Sequence, residues 1–180
     1  MLNNQIIAIV QGAFMKKCII LIGRAYGNLC SYGVVNRDMD ENTVSENLRR
    51  LMSRDQFSSS NGILVTREQP IDNGCLLTST QTADVLPRID FQFQKSWSKL
   101  QHTSVFFMEA KNLYANDFIK TCNSSVTSAN FYHKRYVKKG ISHILTGYYP
   151  SNTCMLGYVL EGTIDEAIKG LNTQISYILS

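Results

Sequence analysis

One segment constrains this 180-residue chain more than any other: Ser104-Val-Phe-Phe-Met-Glu-Ala-Lys-Asn-Leu113. Four apolar residues, 105–108, run together without a break, and valine and phenylalanine favour extended backbone. The run therefore reads as a central strand over 104–113. It ends on Glu109 and Lys111, and a carboxylate leaving a buried strand needs either water or a compensating partner. Side chains two apart on a strand share a face, so Glu109 and Lys111 point the same way. Whatever fold forms must seat a charged pair at one edge of its sheet.

A second strand lies upstream. After Pro87, Ile89-Asp-Phe-Gln-Phe93 alternates apolar and polar residues, as a half-buried strand does. If it neighbours 104–113 in antiparallel fashion, Asp90, Glu109 and Lys111 converge. Around these strands the spacing predicts a helix over 5–25, with Ile7, Val10, Phe14, Cys18, Leu21 and Ala25 on one face. The isoleucines of 18–22 offer a strand as its rival. That helix is expected to pack on the rest of the protein or to form a homodimer contact. A second helix is expected over 43–55, capped by Thr43 with Glu46 three residues on, and it ends at Ser58–Gly62. Strand Ile63–Thr66, a turn at Pro70–Gly74 and a brief sheet segment at Cys75–Leu77 follow. Residues 94–102 read as a polar connection and 114–129 as a mobile loop. A helix over 130–146, a strand over 155–160 and a helix from the Thr163 cap to Leu179 complete the order. Without a repeat or clear linker, the chain reads as one α/β domain over 1–180.

The charged edge has a direct chemical use. Asp90 and Glu109 offer hard oxygen ligands to a divalent cation, and the backbone carbonyl of Ala110 adds a third. Such an ion lowers the pKa of a bound water and stabilises charge on a phosphodiester. Lys111 is then placed to position or activate that water. The pattern, Pro87-Arg88-Ile89-Asp90 followed by Glu109-Ala110-Lys111, resembles the PD-(D/E)xK nuclease superfamily with a divergent first motif. The resemblance covers about residues 43–160. It implies a restriction-endonuclease-like αβββαβ core with a four-stranded mixed sheet, to which this chain adds an N-terminal and a C-terminal helix. It also implies Mg²⁺-dependent endonuclease activity, with Mn²⁺ as a substitute, and an additional acidic ligand from the first core helix, for which Glu46 is the candidate.

Composition enters through its placement. Lys and Arg number 18 against 14 Asp and Glu, a net charge of +4, too small to name a partner. Yet residues 86–140 alone carry +6, while 1–85 are neutral and 141–180 carry −2. Within the basic stretch, Lys134 with Lys138 and Arg135 with Lys139 fall one helical turn apart, suited to successive phosphates. Arg88 and Asn112 are candidates for substrate contact beside the metal, and DNA is the expected polymer ahead of RNA. His133 and His143 lack the close Cys/His neighbours of a metal site, and packing is the leading role for the Tyr148-Tyr149-Pro150 loop. Five scattered cysteines, odd in number and without zinc-ligand spacing, suggest a reducing cytoplasm. Neither apolar run, 6–10 or 18–22, reaches the roughly 20 residues of a membrane span, so no membrane partner is expected. The common nucleotide-loop and zinc-protease signatures have no match. The rival to a nuclease is a catalytically inactive nucleic-acid-binding protein, or a structural component of an intracellular defence complex.

Overall fold

A computed structural model describes residues 4–70, 88–97, 102–121 and 124–179. The chain divides into two compact units, Met1–Ser31 with Glu46–Met108 and Tyr32–Ser45 with Glu109–Ser180. Its main strands form a four-stranded mixed sheet in the order β1 (Leu64–Pro70), β2 (Arg88–Trp97), β3 (His102–Tyr114) and β6 (Thr153–Glu161). The turn expected at 70–74, the sheet segment at 75–77 and Pro87 fall largely outside the described residues.

The first unit begins with helix α1, Asn4–Ser31. Of the face read from the spacing it buries Phe14, Cys18, Leu21 and Ala25, leaves Ile7 and Val10 half-buried, and adds Ile22 and Leu29. The strand alternative at 18–22 is therefore excluded; Ile19 and Ile20 stand exposed on the helix's outer side. Gln11 Nε2 ties the helix to the Val105 carbonyl at 2.6 Å. Because α1 continues through Lys16 and Lys17, it joins the two apolar runs. Its length and apolar composition suffice to cross a membrane, as those of core helices and signal sequences also do, and 22% of its apolar window is buried.

Helix α2, Glu41–Arg54, starts two residues before the expected boundary. Asp40, not Thr43, is its cap: Thr43 donates its backbone N–H to Asp40 Oδ1 at 2.8 Å and its hydroxyl to Oδ2 at 2.7 Å. A carboxylate accepts from both groups at once, which explains why it displaces a threonine from the capping role. Val44, Leu48 and Met52 are fully buried. A short separate helix, α3, Gln56–Asn61, stands where only a helix end is expected; Asp55 caps it and Gly62 closes it at φ 62°, a left-handed conformation that suits glycine.

Strands β1, Leu64–Pro70, β2, Arg88–Trp97, and β3, His102–Tyr114, follow. β1 pairs antiparallel with β2, which pairs antiparallel with β3 from Trp97↔His102 to Phe91↔Met108. Residues 94–97 thus belong to β2 rather than to a connection. Their polarity misleads because β2 ends at the surface, where Lys95 lies over the Trp97 ring at 4.2 Å and Trp97 Nε1 donates to Ser104 Oγ. Phe91, Phe93 and Phe106 fill the core beneath, with neighbouring rings 6.0–6.3 Å apart.

In the second unit the expected loop at 114–129 contains a small hairpin, β4 Phe118–Ile119 with β5 Val126–Thr127. Asp117 accepts the Ala129 N–H at 2.8 Å and so anchors the start of helix α4, Ala129–Arg135. That helix widens into a π-helical segment, Tyr136–Ile141, before the single turn α5, Ser142–Leu145. Val137 is buried, whereas Leu145, expected inside, is exposed after the widened turn has shifted the helical phase. Strand β6, Thr153–Glu161, includes Gly157, where a Cβ would lie 2.5 Å from Leu113 Cδ1. Thr163 caps α6, Ile164–Leu179, as expected, and Glu166 completes a capping box with it. Ala167 of that helix is buried, but Ile168 is exposed.

Candidate active site

The charged pair at the end of β3 finds its partner at the start of α2. Lys111 Nζ donates to Glu109 Oε1 at 2.5 Å, to the Ala110 carbonyl at 2.6 Å and to Glu41 Oε1 at 3.1 Å. Glu109 and Lys111 retain only 6% and 5% of their exposure. Each brings a charge out of water, a cost offset by this pairing. Arg135 approaches Glu41 from α4, its Nη2 lying 3.7 Å from Oε1. Asn112, also buried, directs its backbone N–H at Glu41 Oε2 and its Nδ2 at the Met39 carbonyl and Tyr114 hydroxyl. Burial pushes that hydroxyl up to about 12, keeping it neutral.

Three oxygens therefore surround one ammonium: two carboxylates and a peptide carbonyl. They form a hard donor set of the kind divalent cations take. Of the ligands expected from the sequence, Asp90, Glu109 and the Ala110 carbonyl, the last two belong to this set. Glu41 was missed. Its signal was present as an acidic residue just after Asp40, whereas the family resemblance pointed to Glu46 as the acidic residue of the first core helix. Glu46 instead receives Arg49 at 2.7 Å and Arg50 at 2.8 Å, with Arg67 at 3.6 Å. The Arg49 and Arg50 guanidiniums hold its carboxyl down at about 2. Among the described residues no three His, Cys, Asp or Glu side chains group together as metal ligands; the third oxygen at Lys111 is the Ala110 carbonyl.

Asp90 lies on β2, the strand antiparallel to β3, and belongs to the first unit; Arg88 is exposed two residues before it. Lys134, Arg135, Lys138 and Lys139 are exposed along α4 and the π segment. Of these, Arg135 joins the Glu41 cluster. It also lines a cavity of about 280 Å³ with Glu41, Asn112, Lys120 and Tyr132. Lys120 adds a cation there that the sequence offered no reason to select.

The histidines have packing roles. His133 is buried against Gly170, where a Cβ would lie 2.2 Å from the ring, and burial lowers its pKa. His143 sits against Tyr148 and Tyr149, with ring centroids 4.4 and 5.5 Å away. Burial and the nearby Lys139 and Lys111 charges favour its neutral form. No family model, curated protein or solved structure matches the chain.

Proposed function

We propose that this protein hydrolyses nucleic-acid phosphodiester bonds with Mg²⁺, or Mn²⁺ in its place, and that DNA is its first substrate. The observation carrying this reading is the Glu109, Ala110 and Glu41 oxygen set around Lys111, beside a cavity containing Lys120 and Arg135. Its donors suit a hard cation, and its neighbouring cations suit a phosphate. The succession of α2, strands β1–β3, α4–α5 and β6 supports a restriction-endonuclease-like αβββαβ core. A bound divalent cation would lower the pKa of water and stabilise charge developing on the phosphorus oxygens.

The protein's own groups divide the remaining work. Glu109, Glu41 and the Ala110 carbonyl would hold the ion. Lys111 would orient water and offset charge on the phosphate. Lys120 and Arg135 would hold the phosphate itself. The Lys111 contacts also favour a second reading: the ammonium already bonds to all three oxygens, as in a structural ion cluster of a non-catalytic nucleic-acid binder.

Cleavage separates the two. Purified protein should be incubated with labelled single- and double-stranded DNA and RNA in Mg²⁺, Mn²⁺ or EDTA. Metal-dependent products from at least one polymer are expected. Intact polymers in every condition would favour the non-catalytic reading.

A further inference from the structure

Lys134, Arg135, Lys138 and Lys139 surround an apolar groove of about 340 Å³ together with Phe131. Phe131 is 60% exposed, and its ring meets that of Tyr132 edge-on at 5.4 Å. Four cations suit phosphates, but they do not explain an uncovered phenyl ring among them. A duplex keeps its base faces stacked inside, leaving that ring without a complementary surface. An unpaired strand supplies both phosphates and free aromatic faces, the combination found in single-strand binding grooves.

Arg135 also lines the cavity beside Glu41. Within that cavity Asn112 spends Nδ2 on Met39 and Tyr114, while its buried Oδ1 has no hydrogen-bond partner. The Met39 carbonyl fixes this orientation, because a flipped amide would place two acceptors together. The unused oxygen offers an acceptor for a base N–H close to Lys120 and Arg135.

We infer that the substrate is single-stranded nucleic acid, with a base stacked on Phe131, phosphates along Lys134, Arg135, Lys138 and Lys139, and the neighbouring nucleotide in the Asn112 cavity. This identifies the substrate class for the phosphodiester-cleaving reading and rests on it. The full chain in EDTA should be titrated into fluorescein-labelled 12-mer DNA, its duplex and an RNA strand of the same sequence, with binding read by anisotropy. At least one single strand should bind tenfold or more tightly than the duplex. Phe131→Ala, a change at an exposed ring, should weaken single-strand binding roughly fivefold to 150-fold without altering duplex binding. Lys134→Ala with Lys138→Ala should reduce the salt slope by about 1.4, at about 0.7 for each lost phosphate contact. Equal or tighter duplex binding, or an unchanged Phe131→Ala titration, would overturn the inference. Since EDTA removes the need for catalysis, duplex cleavage without single-strand preference would refute this inference alone. Single-strand preference without cleavage in Mg²⁺ or Mn²⁺ would refute the catalytic reading alone.

Discussion

Lys111 holds together groups that would otherwise repel. Its ammonium lies between Glu109 and Glu41, and Arg135 reaches the latter at 3.7 Å. Removing one member of a buried ion cluster commonly costs about 3–5 kcal/mol. Lys111→Met should destabilise the protein by that order. If the three oxygens form a cation site, millimolar Mn²⁺ should raise the variant's melting temperature more than the wild type's, because metal would replace the missing charge. An equal response in both proteins would identify a purely structural cluster. Among the sequence candidates, Glu109 and Lys111 were legible because charge interrupted an apolar strand. Glu41 was not, because its partner lies seventy residues away and an acidic residue in a helix's first turn already has a local explanation.

At the scale of elements, Asp40 has two consequences: it caps α2 and begins the helix early enough to place Glu41 in its first turn. Asp40→Ala should cost about 1 kcal/mol, the usual loss for such a cap, and urea denaturation will measure it. A change below a few tenths of a kcal/mol would assign the start of α2 to tertiary packing instead. Strong apolar patterns made β3 and the buried faces of α1 and α2 legible. α1 was underestimated because Lys16 and Lys17 interrupt its composition without interrupting its backbone. The small hairpin at 118–127 was hidden by short strands, and α3 by its serines. The π segment was harder to foresee, because no repeating sequence pattern marks it; its Gly140 lies against Met155, where a Cβ would be 2.1 Å from Cε.

Across the whole molecule, the modest net charge of +4 says less than its distribution. The basic middle of the chain contributes a buried charge cluster on β3 and an exposed cationic face on α4 and the π segment, with Arg135 common to both cavities. The mixed sheet and its helices were foreshadowed by alternating and helical periodicities; the alliance of Glu41 with Glu109 depended on the fold. The central claim is that these groups form a phosphodiester-cleaving centre. Initial cleavage rates of a labelled oligonucleotide in Mg²⁺, compared for wild type, Glu109→Gln, Glu41→Gln and Glu46→Gln, test it most directly. Folded Glu109→Gln and Glu41→Gln should each lose at least about 100-fold, a change of roughly 2.7 kcal/mol in the barrier, whereas Glu46→Gln and wild type should remain within about threefold. Equal rates in wild type, Glu109→Gln and Glu41→Gln would contradict the assignment.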